Sequence, residues 1–363
     1  MDAVEKVAEA VLYEGYLLYP YRRSALKNQQ RWTFGGVYPR AYSDASGGDD
    51  PWIMQTQCLV VGDEDTSLEV KVRFLHVVDR LVAKKVGGGA ASGDCLVEEL
   101  RVGGQVYRPW EEAVERVAIV GGSDGKRPVR LGDLIEHSRW IEIDVPEGRA
   151  EEPLIDPDGN VAGALVREWR SLRGAVEIAA EPLDEVLASA PRVAPGYRLT
   201  VRIVNTTPWP GRAGDERPRA AVLRQTFVST HTILRARGGA FVSLLEPPAE
   251  YQEAAGRCEN VKTWPVLAGE PAERRTMLSS PIILYDYPQI SPQSPGNLFD
   301  GTEIDELLTL SILTLTDEEK QEMRESDARA REILERTEAL TPEQLMRLHG
   351  AIRGLQSLRR EEP

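Results

Sequence analysis

The segment Leu68 to Val78 constrains the fold of this chain most. Leu68, Val70, Val72, Phe74 and His76 alternate with more polar neighbours. A period of two places these side chains on one face of an extended strand, and a helix cannot keep them together. Similar signals recur along the chain. Met54 to Val61 is apolar and is closed by the turn residues Gly62 to Thr66. Val114 to Val120 runs into Gly121-Gly122-Ser123-Asp124-Gly125-Lys126, a hairpin-type connection. Trp140 to Val145 and Tyr197 to Asn205 alternate. Ala221 to Leu234 is a long, largely β-branched run, and Phe241 to Leu245 and Met277 to Tyr285 complete the set. Lys84 to Asp94 reads as a glycine-rich loop.

Helical periodicity is confined to the two ends. Val4, Val7, Ala8, Val11 and Leu12 make one apolar stripe within residues 2 to 14. Beyond the proline-bearing stretch Asp286 to Asn297, Ile304, Leu307, Leu308 and Ile312 share a helical face. Thr316 and Glu319 have capping-box spacing, and Thr341-Pro342-Glu343-Gln344 is a strong helix start before Leu345, Leu348, Ile352 and Leu355. The expected class is therefore α+β: a β-rich, sandwich- or barrel-like body, a short N-terminal helix and a C-terminal helical tail. At 363 residues the chain exceeds the usual size of a single core. The Pro-, Gly- and acid-rich residues 146 to 160 suggest an inner boundary. The expected regions are 1–150, 151–298 and 299–363.

The net charge of -14 argues against a nucleic-acid partner and against docking on anionic membranes. No apolar run reaches the roughly 18 residues of a membrane span. The first residues, Met1-Asp2-Ala3-Val4-Glu5, carry acid where a secretory signal would be basic, and three dispersed cysteines do not make a disulfide framework. The expected compartment is the cytoplasm.

Catalytic and metal motifs are weak. Gly121 to Arg127 lacks the glycine placement and the hydroxyl residue of a phosphate loop. His76, His137, His231 and His349 form no ligand spacing, and Asp156, Asp158 and Gly159 match a calcium loop only in part. A site built in three dimensions would draw on His231, Cys258 and Glu259, or on Ser279 and Ser280. No catalytic residue, metal ligand or cofactor is assigned.

One stretch stands apart. No acid occurs from Gly15 to Ser43. Within Tyr13 to Tyr42, Tyr13, Tyr16, Tyr19, Tyr21, Tyr38 and Tyr42 accompany Trp32 and Phe34, interleaved with Arg22, Arg23, Lys27, Arg31 and Arg40. Tyr, Trp and Arg dominate interface hot spots. Tyr19, Tyr21, Arg22, Arg23, Lys27, Arg31 and Trp32 are the candidate residues for binding a protein partner or a small anion. The competing reading packs the aromatics in the core and pairs the arginines with the chain's own acid.

Three segments carry a family resemblance: Leu12 to Pro39, Leu278 to Leu310, and Leu315 to Gly350. They resemble an uncharacterised bacterial family whose genes tend to lie among those for uptake NiFe hydrogenases and their maturation factors. The resemblance implies an accessory or assembly role, with hydrogenase subunits or maturation proteins as partners. It brings no catalytic residues. The lack of His and Cys clusters does not suit a direct metal carrier.

Overall fold

A computed structural model describes residues 3–13, 34–47, 49–86, 93–121, 128–183, 195–210, 219–289, 312–326 and 328–341. They fall into two compact units, one spanning residues 3–13 and 34–289, the other residues 312–341. The first unit is β-rich with antiparallel sheets, and both termini of the chain supply helices, as the patterning predicts.

Two sheets make the first unit. The first has five strands in the order β14 (Ala240–Phe241), β1 (Ile53–Val61), β12 (Gly196–Asn205), β11 (Leu172–Pro182), β8 (Arg139–Val145). The second is organised on β2 (Ser67–Val86), a strand of 20 residues. β6 (Trp110–Val120) lies along residues 70–80 of β2. β13 (Val228–Arg237) and β10 (Val161–Trp169) therefore follow one another on the opposite edge, at residues 67–75 and 79–84. Residues 76–78 fall between them. β16 (Thr276–Ser280) and β15 (Trp264–Ala268) extend the sheet beyond β13, and β9 (Gly148–Ile155) extends it beyond β10. β3 (Gly93–Leu96) and β7 (Val129–Arg130) also pair with β2, while β4 (Leu100–Val102) and β5 (Gln105–Tyr107) form a separate hairpin.

One core joins the sheets. Met54, Cys58 and Val60 of β1, with Leu199, Val201 and Ile203 of β12, meet Leu68, Val70, Val72 and Phe74 of β2 and Leu234 of β13. The alternation seen in sequence is this inward face. A hydroxyl chain crosses between the sheets, with Thr56 Oγ1 and Thr263 Oγ1 each 2.7 Å from Ser279 Oγ. All three are buried.

The expected inner boundary at residues 146–160, and with it the division into 1–150 and 151–298, falls inside one antiparallel ribbon. Leu172 faces Val145 in the first sheet and Trp169 faces Gly148 in the second, so one register continues through both. Pro146-Glu147 and Arg170-Ser171 form the bend between the sheets. Asp156 to Asn160 close the ribbon as a turn: Asp156 Oδ1 accepts from the backbone N–H of Asp158 and Asn160, and Gly159 takes φ +84°. The composition that suggested a linker is thus that of a bend and a tight turn. Other strand limits also shift. The run from Ala221 divides into the short helix α4 (Arg219–Leu223) and β13. The last strand stops at Ser280, because Pro281 follows. Lys84 to Val86 belong to β2.

Four more short helices flank this unit: α1 (Ala3–Leu12), α2 (Arg40–Ala45), α3 (Leu131–Glu136) and α5 (Gln252–Gly256). α1 buries Val4, Val7, Ala8, Val11 and Leu12, the stripe read from sequence. Its polar side docks on the second sheet. Arg73 Nη2 meets Glu9 at 2.6 Å, Arg73 Nε meets Glu115 at 2.6 Å, and Lys71 and Arg235 both reach Glu5.

In the second unit α6 (Asp317–Ser326) packs with α7 (Ala328–Glu338). The capping box is present in both directions: the Glu319 N–H donates to Thr316 Oγ1 at 3.2 Å and the Thr316 N–H donates to Glu319 Oε2 at 3.0 Å. Arg324 pairs with Glu338 at 2.8 Å across the two helices. No helix among the described residues is long and apolar enough to cross a membrane. The helical patterns at Ile304 to Leu308 and from Pro342 onward lie outside the described residues.

Candidate functional site

Tyr19, Tyr21, Arg22, Arg23, Lys27, Arg31 and Trp32 lie outside the described residues. The end of the same basic-aromatic stretch is described and has a defined setting. Val37 pairs with Phe227, and α2 then carries Tyr42 back over Tyr38. The two rings stack at 5.6 Å, and Trp209 meets Tyr42 edge-on at 5.8 Å. Arg219 lies over the Tyr38 ring at 5.4 Å, donates to the Tyr38 hydroxyl oxygen and pairs with Asp50 at 3.1 Å. The Tyr42 hydroxyl donates to Asp50 at 3.3 Å. Burial first, and Asp50 second, raise the pKa of both tyrosines, which keeps them neutral. Arg40 stacks on Trp52 at 4.6 Å. Tyr38 is buried and its arginine neighbours are partnered, while Tyr42 and Trp209 keep exposed surface.

Trp209 leads from this band into a cleft of about 790 Å³. The cleft opens where the ribbon bends and where β10 and β13 part from the edge of β2. Pro208, Trp209, Pro210, Ala220 and Ala221 give it a mainly apolar lining, and Glu147, Arg170, Ser171, Arg224 and Gln225 contribute polar groups. A smaller hollow of about 310 Å³ adjoins it and shares Glu147 and Arg170.

The charged groups here are of two kinds. Arg224 is fixed: Nε and Nη2 each reach an Asp79 oxygen at 2.6 Å, and Nη2 also meets Glu111 at 3.0 Å. Arg170 and Glu147 are exposed, and neither makes a hydrogen bond or ion pair among the described residues. The bend itself is held by Trp169. Its ring packs against Gly148, where a Cβ would come within 2.5 Å of it, and its N–H donates to Pro146 O at 3.0 Å. Arg116, half-buried and without a carboxylate partner among the described residues, sits 6.0 Å from that ring.

His76 lies beneath this floor and is fully buried. It points inward where β2 pairs with β6 alone and its other edge is open, and is a diagonal neighbour of Arg116 across the β2–β6 pair. The backbones of Arg170 and Arg224 lie beside the ring, yet neither ring nitrogen meets hydrogen-bond geometry. Burial, and then Arg116, lower its pKa to about 4, so it is neutral at pH 7.

The catalytic groupings considered from sequence do not assemble. His231 lies on the outer face of the second sheet, where its Nδ1 is 3.1 Å from Ser229 O and Lys71 and Arg73 are its charged neighbours. Cys258 packs with Leu59, Val242 and Ala254 on the outer face of the first sheet. The body of the sandwich separates them. Burial pushes the Cys258 thiol up to about 11, the wrong direction for a nucleophile. Glu259 is held through its backbone, its N–H donating to Gln57 and its carbonyl accepting from Gln55. Ser279 belongs to the buried hydroxyl chain, and Ser280 donates to Ile282 O. No group of three His, Cys, Asp or Glu among the described residues could hold a metal ion.

Sequence reasoning overlooked Trp209, Arg219, Glu147, Arg170 and Trp169. The available signal was Pro208-Trp209-Pro210, a large aromatic fixed between prolines outside any strand pattern. The opposition of Glu147 and Arg170 depends on ribbon register and has no local signature.

No family model matches the chain, and no curated protein matches it significantly. Among solved structures, the Salmonella SPI-1 type III secretion injectisome secretin InvG, in its open gate state, aligns over 76% of this chain and 75% of its own at 8% identity, but a TM-score of 0.10 gives that alignment no weight for fold or function.

Proposed function

We propose that this chain is a non-enzymatic protein-interaction factor that presents its basic-aromatic end to a partner. The observation that carries the reading is the band of Tyr42, Trp209 and Arg219 at the mouth of an apolar cleft. These residue types supply rigid amphipathic area and forked hydrogen bonding, the chemistry of interface hot spots. The sequence resemblance suggests the partners: subunits of a NiFe hydrogenase or its maturation proteins, met in the cytoplasm. On sequence grounds Tyr19, Tyr21, Arg22, Arg23, Lys27, Arg31 and Trp32 are proposed as further partner contacts.

Affinity capture of the tagged full chain from its native host, with mass spectrometry and metal analysis on one eluate, tests this. Enrichment of hydrogenase subunits or maturation proteins that is lost in Trp209→Ala and in Arg22→Glu/Arg23→Glu/Arg31→Glu is the expected result. Recovery of the chain alone, or capture unaffected by both variants, overturns it.

A further inference from the structure

We propose that the ribbon bend binds a zwitterionic α-amino acid with a large apolar side chain. This goes beyond the partner-binding reading, which stands or falls separately.

Ribbon register brings the two charges opposite each other. Trp169 faces Gly148 on one side of the bend and Leu172 faces Val145 on the other. Glu147 and Arg170 occupy opposed positions within it. In a regular antiparallel pair such positions hold their Cβ atoms about 5 Å apart, and opposite charges there normally join. Here the two do not join, although both line the large cleft and the small hollow. Nearly every other arginine around the bend already has a carboxylate. Arg224 has Asp79 and Glu111, Arg167 has Glu112 and Glu152, and Arg149 has Glu151 and Glu168. The chain has excess acid, so an uncommitted guanidinium beside an uncommitted carboxylate is a local exception.

The ligand chemistry follows from what these groups lack. Arg170 offers a forked donor suited to a carboxylate. Glu147 offers an acceptor for an ammonium. An α-amino acid carries both charges on groups bonded to one carbon, so a single ligand can meet both side chains. Its side chain would enter the adjoining cleft, where Pro208, Trp209, Pro210, Ala220 and Ala221 provide apolar surface and an aromatic face. Half-buried Arg116, without a carboxylate partner among the described residues, lies 6.0 Å from the Trp169 ring and adds positive potential near the bend. Trp169, packed on Gly148 and bonded to Pro146, keeps the bend rigid and the two charges pre-positioned.

Isothermal titration of the full chain with L-phenylalanine, N-acetyl-L-phenylalanine, L-phenylalaninamide and glycine tests the proposal. L-phenylalanine should bind with a Kd of about 1 mM or tighter, and blocking either end or removing the side chain should weaken binding by about tenfold or more. In Arg170→Gln the amino acid should lose its advantage over the amide. In Glu147→Gln it should lose its advantage over the N-acetyl form. Both positions are exposed, and unchanged far-UV circular dichroism would confirm folding of the variants. Absence of binding by L-phenylalanine, equal binding of all four probes, or binding insensitive to both variants overturns the proposal. Full retention of binding by one blocked form also overturns it and points to a peptide terminus.

Discussion

Two regions of the β-rich unit bring arginines and carboxylates together and use them in opposite ways. Under α1, Arg73 is 3% exposed and is ringed by Glu5, Glu9 and Glu115. At the ribbon bend, Arg170 and Glu147 stand opposed in solvent without meeting. The first arrangement spends its charge complementarity inside the fold. It gives a ten-residue helix, too short to persist alone, a fixed seat on the sheet. The second leaves complementarity available to something outside the chain. The contrast separates structural charges from recognition charges without reference to any motif.

The contrast is broken most forcefully at Arg73. Arg73→Ala leaves three carboxylates facing one another beneath α1. Loss of one partner of a buried ion pair costs about 3–5 kcal/mol, and urea unfolding should show a loss of that size. Hydrogen exchange should show residues 3–12 losing protection ahead of the sheets. A loss below about 1 kcal/mol would mean the network is solvated and the first half of the comparison is misplaced.

Acid should attack the same region next. His231 lies under α1 with Lys71 and Arg73 nearby, and burial, followed by those charges, lowers its pKa to about 3. His76 is lowered to about 4 by burial and Arg116. The unfolded chain protonates both near pH 6.5, while the folded chain resists until pH 3 to 4. The unfolded state thus binds more protons across that window, and stability falls as pH drops from 6.5 toward 4. The loss should be on the order of 3 kcal/mol per histidine. His231→Asn keeps an N–H for Ser229 O and should flatten the slope in urea titrations across pH. An unchanged slope would place the acid sensitivity in other groups.

The basic-aromatic band lies between the two extremes. Tyr42→Leu removes the stack on Tyr38, the edge contact with Trp209 and the hydrogen bond to Asp50, and keeps apolar volume. A loss of about 1 kcal/mol in thermal unfolding is expected. A change near zero would class Tyr42 with the recognition residues alone. A loss of 3 kcal/mol or more would class it with the core.

What the sequence disclosed follows the same division. Local physics was readable: the α1 stripe, the inward alternation of β2, the Thr316–Glu319 capping box. Each is written within a few residues and is enforced by backbone geometry. The features that needed register were not readable. Pro146, Glu147, Gly148, Asp156, Pro157 and Gly159 have the composition of a linker, and only pairing with residues 161–178 turns them into a bend and a hairpin. The separation of His231 from Cys258 is likewise a matter of which face of which sheet each occupies. The cleft is harder still, because it is made by β10 and β13 leaving one edge of β2 at different points.

The smallest effect is the most discriminating. Arg170→Gln should change unfolding free energy by less than about 0.5 kcal/mol, because the side chain is exposed and makes no described contact. The same holds for Glu147→Gln, and the double variant should be additive, since no ion pair exists to lose. A coupling energy above about 0.5 kcal/mol in this cycle would show that the two charges do pair in solution. The bend would then resemble a weak version of the Arg73 network and would not be an open receptor. An additive, near-silent cycle, set beside the large cost at Arg73, would mean that the fold gains almost nothing from these two charges. Their placement at the mouth of a cleft would then be explained by what they bind.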